Sequence, residues 1–558
     1  RISSSHWVKR VNLFVVTMRL LLPIFLTIFA CGWCNELRIL GVFPLNGKSH
    51  WMMAERLMTS LAEQGHRVDV VTHFPMKNPP PNYKQISLDG TLPPVVNSIH
   101  SKNITLFGRM NINHLVEKTG TAICELLAHK ELQDIISSSK DRYDLIITEL
   151  FTAPCYLAFG RHLNKPVIGI VTSAFHEWTC TLTGNPCNPS FVPGVFSSFS
   201  QRMTFWERVQ NTFLTNVISW QMNYYLDQQA VYVKKFFNID AGIPELYQDI
   251  AAILVNSHHS INGVRPMTTG VIEVGGLHIN ENSDPKIHLY RFILNQQELK
   301  KWLDESTHGC VFFTFGSMVR IETFSKPLLE TFYKVFKRIA PVRVLMKVAQ
   351  KKDLLPGLPK NVMIQSWFPQ TTVFKHKNVK AFITHGGLMS TLEAINFGIP
   401  MIGIPLFGDQ ITNLRNAASK NIAVNLATST LRFSLFRRCS PPKISRFSTS
   451  FCSNTFDLRI FRSSMQATSK IFKDRPMSAI DTAVYWVEYV ARNGFVLQSP
   501  AIRLNWWQQN LIDVYGFIIA CLAVVLYIAV FLVQKLKNCI FGCKPCTKKQ
   551  TSESKKKK

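Results

Sequence analysis

One stretch carries more chemistry than any other. Thr384-His385-Gly386-Gly387 ends an apolar run over residues 379–383, and a helix-like stretch, a second apolar run over 400–404 and Asp409-Gln410 follow. An apolar strand, a Gly-Gly turn and a helix N-terminus together form an anion site, because unpaired backbone N–H groups and the helix dipole converge on one spot. The glycines let backbone approach a phosphate closely, and His385 adds a hydrogen-bond donor. Asp409 and Gln410, beyond the next strand, supply the acceptors and donors that sugar hydroxyls require. The set reads as a site for a nucleotide diphosphate sugar.

A single Gly-Gly turn is ordinarily just a helix entry, but the string is longer than that. Trp367-Phe368-Pro369-Gln370 upstream, then His385-Gly386-Gly387, Glu393, Pro400, Pro405 and Asp409-Gln410 at these spacings, resemble the signature of the UDP-glycosyltransferases, the UDP-glucuronosyltransferase family. The likeness runs from about residue 37 to the tail and is more specific in the second half. It implies that Trp367 stacks on uracil and Gln370 bonds the edge of that base. It further implies that His385 meets the diphosphate, Glu393 the ribose, and Asp409 with Gln410 the sugar. Ser317, on the Phe313-Thr314-Phe315-Gly316-Ser317-Met318 turn, resembles a second phosphate contact, and Arg265 a position near the donor. Where the vertebrate pattern has Asn four residues after the histidine, this chain has Met389, and Leu388-Met389-Ser390 looks more like insect members.

His50 is the candidate base. It follows a continuous apolar run at 37–43 and the loop 44–49, and the pattern of 51–64 predicts a helix beginning just after it. The positive end of that helix is expected to disfavour imidazolium and keep the ring neutral. A neutral imidazole near pH 7 accepts a proton from an attacking hydroxyl. The resemblance at Gly47-Lys48-Ser49-His50 singles it out from an ordinary loop histidine. Its orienting partner is expected to be Glu149, which ends an apolar run at 145–148 where the vertebrate pattern has Asp; Asp144 reads as a solvent-facing strand start. The implied reaction is one displacement: His50 takes the acceptor proton, and UDP leaves into the site made by Ser317, His385 and the Gly386-Gly387 amides. Without an Asp-x-Asp motif, metal-free catalysis with no cofactor is expected.

These residues need two scaffolds. The run at 37–43 is continuously apolar, as in parallel sheets covered on both faces, and further strands are expected at 67–72, 145–148 and 167–171, with a second series from 311 onward. The expected fold is α/β, two doubly wound Rossmann-like domains facing a cleft (GT-B), with ligands beyond the carboxyl ends of the strands. The reading divides the 558 residues into a leader and signal peptide (1–34, with Met18 as start), an acceptor domain (35–290) and a UDP-sugar domain (291–510). A transmembrane helix (514–533) and a lysine-rich tail (534–558) follow. Lysines directly after the span put the tail in the cytoplasm and the domains in the lumen. The terminal 555–558 lysines resemble a dilysine retrieval signal, giving a single-pass endoplasmic reticulum protein. Asn103-Ile104-Thr105 is a glycosylation sequon.

The net charge of +28 is concentrated at 535–558 (+8), 427–470 (+7) and 1–34 (+4), with no base-reading module, so nucleic acid is not an expected partner. The expected partners are UDP-glucose, favoured by the insect-type features, or UDP-glucuronate, together with a small lipophilic acceptor and a membrane. The aromatics of 173–225, among them Phe175, Trp178, Phe205, Trp206, Phe213 and Trp220, suit an aglycone pocket, a membrane surface or plain core. Of the scattered luminal cysteines, Cys155 reads as a packed thiol. Residues 427–470, Ser-, Arg- and Phe-rich with one acidic residue, do not suit the fold and read as a frameshift or unspliced intron. Were they genuine, the rival function would be a catalytically impaired membrane protein that oligomerises with active relatives.

Overall fold

The computed structural model describes residues 36–108, 112–281, 290–426 and 458–541. The leader, most of the 427–470 segment and the end of the tail lie outside them.

Apolar, largely β-branched runs form two parallel sheets. The first joins β1 (Arg38–Phe43), β2 (Arg67–Thr72), β3 (Tyr83–Ser87), β4 (Leu145–Glu149), β5 (Val167–Val171), β6 (Ile250–Val255) and β7 (Val271–Glu273) in the order β3-β2-β1-β4-β5-β6-β7. The second joins β8 (Cys310–Thr314), β9 (Arg343–Lys347), β10 (Val362–Gln365), β11 (Val379–Thr384), β12 (Met401–Gly403) and β13 (Ala423–Asn425) in the order β10-β9-β8-β11-β12-β13. β5 and β6 are buried along their whole length, as strands with helices on both faces must be. Each sheet therefore carries two cores, one per face. Both orders reverse after their third strand, so each sheet has one switch point, between β1 and β4 and between β8 and β11.

The helices used below are α1 (Lys48–Glu63), α2 (Phe205–Asp227), α3 (Gln370–Lys375), α4 (Leu388–Asn396), α5 (Gln410–Ser419), α6 (Leu458–Lys473), α7 (Ala479–Asn493) and α8 (Ile512–Phe541).

Four features correct the sequence reading. First, α7 does not serve the second domain, with which 291–510 had been grouped. Its Ala483, Val484, Val487 and Val490 join the first sheet's core beside Leu57 and Leu61 of α1, and Gln498 donates to the Gln248 and Ile250 carbonyls. Second, the anomalous 427–470 stretch is regular from Leu458, where α6 buries Met465 and Phe472 in the second domain's core. Third, Cys155 is not a free thiol; it is disulfide-bonded to Cys124. Fourth, α8 is longer than the expected span and contains Lys535 and Lys537. With 30 residues and a mean hydropathy of 3.0 over its most apolar 18-residue window, it is the one helix among the described residues long and apolar enough to cross a membrane.

A loop of the first domain is bonded to the second. Asn97 and Ile99 amides donate to the Ser317 and Met318 carbonyls, Arg320 returns a bond to Ile99, and the Ser101 amide donates to the Thr323 hydroxyl. Asn103 lies in the short helix that follows, Ser101–Gly108, and is half-buried.

Candidate active site

Glu149 ends β4 and His50 follows β1, the two strands that flank the first switch point. β1 leads through the 44–47 loop into α1, whose first turn opens at Lys48, so His50 is the helix's third residue and not the residue before it. Gly47 caps α1 without a side-chain bond. His50 Nδ1 lies 2.6 Å from Glu149 Oε1, and the Thr172 hydroxyl donates to the same carboxylate oxygen at 2.8 Å. The extra methylene of Glu relative to Asp is thus accommodated at normal hydrogen-bond length. With Nδ1–H given to Glu149, Nε2 is left as the proton acceptor. Asp144 sits at the other end of β4, paired with Arg38.

The ring's charge preference differs from expectation. Burial pushes the His50 pKa down, but the charge and hydrogen bond of Glu149 and the charge of Asp409 outweigh it, so the pKa is raised. A carboxylate at hydrogen-bond distance dominates a partial helix dipole. The result is a stronger base than a neutral loop histidine. Phe151 lies 5.3 Å from the His50 ring and 5.9 Å from His176, which stacks on Trp178 at 4.3 Å. Burial, with the charges of His50 and Arg265, lowers the His176 pKa to about 3, and Ser173 Oγ lies 2.7 Å from its Nε2. Phe151, Thr172 and His176 were not anticipated; nothing in their local sequence separates them from core residues.

At the second switch point, β8 ends in the Gly316-Ser317 turn and β11 in His385-Gly386-Gly387. The half-buried His385 ring is wedged between glycines. A Cβ on Gly316 would stand 2.8 Å from it and one on Gly387 2.9 Å, so a larger residue at either place would have to displace the ring. Burial and the nearby Lys347 charge lower the His385 pKa to about 4, and its Nδ1 is buried with no partner among the described residues. α4 starts at Leu388 with Gly387 as an uncapped N-cap, leaving its first amides open. The Gly386 amide is not one of them: it donates to Thr384 Oγ1 at 3.1 Å. The open amides therefore begin at Gly387, where Gly386-Gly387 had been expected to offer two.

Trp367 is 47 % exposed, a bare indole face beside the buried Phe368. Gln370 opens α3 and its Nε2 donates to Glu393 Oε2 at 2.6 Å, which leaves its carbonyl oxygen for a base edge. Glu393 is buried, and His278 Nε2 lies 3.3 Å from its other oxygen. Burial raises the Asp409 pKa, opposed by the Asn413 amide, which donates to it at 2.8 Å, and by the His50 charge. Gln410 Oε1 accepts from the Leu406 and Phe407 amides and so fixes the loop before it.

Lys347 was missed. A lysine ending an apolar strand reads as a solvated terminus, yet its side chain is buried. Nζ donates to Asn97 Oδ1 and the Gly316 carbonyl at 2.8 Å each and to the Ser317 carbonyl at 3.2 Å, and lies 5.8 Å from the Trp367 ring centre. Arg265 belongs to the first domain. Its guanidinium donates to the Phe175 carbonyl and acts on His176, Glu177 and Cys180 of the first domain, on the His50 side. Met389 reaches across to the first domain as well, with its sulfur 3.2 Å from Asn256 Nδ2.

Two parallel doubly wound domains, each with polar side chains gathered at its switch point, define the GT-B class of glycosyltransferases. The fold matches the crystal structure of the glycotransferase of kitacinnamycin with a TM-score of 0.52 at 15% identity, covering 82% of this chain and 99% of that one. The family profile described as "UDP-glucoronosyl and UDP-glucosyl transferase" matches residues 39–553, and the chain belongs to that family. UDP-glucosyltransferase 2 of Dactylopius coccus is 33% identical over 510 residues, 90% of this chain and 93% of the relative. UDP-glucuronosyltransferase 1A1 of Mus musculus is 25% identical over 545 residues, 94% of this chain and 95% of the relative.

Proposed function

We propose that this UDP-sugar glycosyltransferase moves a hexose, glucose in preference to glucuronic acid, onto a hydroxyl of a small lipophilic acceptor, with inversion and without a metal. The observation that carries the reading is the His50–Glu149 pair at 2.6 Å at one switch point, whose base also feels the charge of Asp409 from the sugar end of the other domain. His50 Nε2 takes the acceptor's hydroxyl proton as its oxygen bonds the anomeric carbon. The bond from that carbon to the diphosphate oxygen breaks on the opposite face, and UDP leaves with the electron pair. A donor with an α-linked sugar thereby yields a β-glycoside. Glu149 holds the charged imidazolium until the proton departs to solvent.

The leaving diphosphate is met by fixed positive ends: the open amides from Gly387 onward, His385, the Ser317 turn and the Lys347 ammonium. Dipoles already oriented cost no reorganisation as charge develops. Trp367 supplies the stacking face for uracil, Gln370 its edge contact, Glu393 the ribose contact, and Asp409 with Gln410 the sugar contacts. The aromatic wall of Phe151 and His176 beside His50 suits an apolar acceptor. The preference for glucose draws on the insect-type sequence features and on the insect relative's name. A disulfide between Cys124 and Cys155 suits an oxidising compartment, and with helix α8 supports a luminal enzyme anchored in the endoplasmic reticulum membrane. A role in detoxification follows from that acceptor class.

The test pairs His50→Ala with a donor competition. General-base catalysis is worth on the order of 10²–10⁴ in rate, so the variant should lose that much turnover while binding UDP nearly as well as the parent. Full turnover, or equal loss of UDP binding, would overturn the role. Competing UDP-glucose with UDP-glucuronate over a panel of phenols and steroids should favour glucose; exclusive use of glucuronate would reverse the donor assignment and leave the mechanism intact.

A further inference from the structure

Helix α2 has its faces reversed. Its 23 residues bury Asn211, Thr215, Met222 and Leu226, while Trp206, Val209, Phe213, Trp220 and Tyr224 stand exposed, the three larger of them at 69, 66 and 68 % for Trp206, Phe213 and Trp220. Spacings of three, four, seven and four residues put the exposed set on one face at the helical period, and the buried set falls opposite. On the buried side Asn211 accepts from the Gly194 amide and donates to the Pro189 and Val192 carbonyls. The outward face is therefore the apolar one. It borders an open groove of about 810 Å³ lined by Phe205, Arg208, Val209, Phe213, Val217 and Trp220.

A stripe of this kind needs an occupant, since soluble surfaces seldom present a contiguous apolar patch. We propose that α2 is an interfacial docking helix, which lays its Trp206–Tyr224 stripe into the headgroup and acyl boundary of a lipid bilayer. Three observations favour lipid over a second copy of the chain. Between Val209 and Leu226 the helix carries no charge at all. At its start the charges suit an anionic surface: the Glu207 carboxylate is taken up by the Thr204 amide in a capping box, while Arg202 is exposed and Arg208 lies along the Phe205 ring. The exposed set is mostly amphipathic aromatics, Trp206, Trp220 and Tyr224, the types that settle at membrane interfaces. The same chain also holds α8, so a bilayer is the surface at hand. In this respect the inference rests on the membrane reading of α8.

The experiment uses the full chain reconstituted in phosphatidylcholine vesicles containing phosphatidylserine. A photoreactive benzoylphenylalanine replaces Phe213, and in a control it replaces Lys352, an exposed residue of the other domain. Irradiation should give a lipid adduct at 213 and at least tenfold less at 352. A covalent dimer through 213, or no adduct there, would overturn the proposal. Trp206→Ser with Trp220→Ser, added to the Phe213 probe, should cut the lipid adduct at least tenfold. UDP affinity and turnover of a water-soluble acceptor should stay within twofold of the parent, since neither tryptophan belongs to the catalytic set. An undiminished adduct would count against the stripe as the docking element. Resistance to alkaline extraction reports separately on α8, so failure of the span and failure of the docking helix are distinguishable.

Discussion

Glu149 does two things to His50, and they separate by experiment. It fixes the tautomer, and its charge raises the ring's pKa against burial. The base works only when unprotonated, so kcat/KM should rise with pH through a midpoint above the ordinary histidine value of about 6.5. Glu149→Gln removes the charge and leaves burial in command, so the midpoint should move to lower pH. The plateau should fall as well, because an amide oxygen holds an imidazolium less firmly than a carboxylate. A pH–rate profile on both proteins checks this, and an unshifted midpoint would mean that His50 is not the titrating base. At this scale the sequence was most readable where backbone and side chain are both constrained. His385, Gly387 and Asp409 stand out in the sequence because the proposed phosphate cradle tolerates few alternatives. Lys347, Thr172 and His278 do not, because each becomes polar machinery only when strands distant in sequence bring partners to it.

Elements place these residues through the ends of strands. β8 and β11 run side by side in register, so their following turns meet and the His385 ring comes to rest over Gly316. Gly316 has φ +75°, a conformation an L-residue resists, and a Cβ there would also press on the ring. Gly316→Ala should therefore weaken UDP binding by at least tenfold, while the pH midpoint set by His50 and Glu149 stays where it was. Titration of UDP together with the pH profile tests both halves; unchanged UDP affinity would show that His385 does not need its seat. The strands themselves were legible from their apolar runs, and β2 and β5 match the expected bounds residue for residue. The allegiance of α7 was not. An amphipathic stripe says that a helix covers something, but nothing in it says which of two similar sheets, and the chain's position after the second domain pointed the wrong way. The Cys124–Cys155 bond was hidden for a related reason: with many cysteines present, pairing depends on approach in space.

In the whole molecule the two domains are joined beside the proposed donor site. The strap around Asn97–Ser101 bonds to Ser317–Thr323, Thr412 of α5 donates to the Val195 and Ser197 carbonyls, and Met389 meets Asn256. Lys347 stands at the centre of this seam, with acceptors from both domains around one ammonium. Burial pushes its pKa down to about 8, partly offset by Glu322, so its charge is expected to be lost at mildly alkaline pH. The sign is fixed: protonated Lys347 attracts a diphosphate, so UDP affinity should be highest below pH 8 and fall as pH rises through it. Lys347→Met should bind UDP weakly and without that dependence. Asn97→Gly tests the seam alone, because glycine accepts the left-handed φ of +55° at this position and removes only the side-chain acceptor. Losing this acceptor frees the ammonium from the first domain, so UDP affinity should change several-fold and lose part of its pH dependence, while the His50 midpoint stays in place. UDP titrations from pH 7 to 9 on the parent and both variants decide it. Affinity in Asn97→Gly equal to the parent would mean that the second domain holds its lysine unaided, and that the strap joins the domains without tuning the donor site.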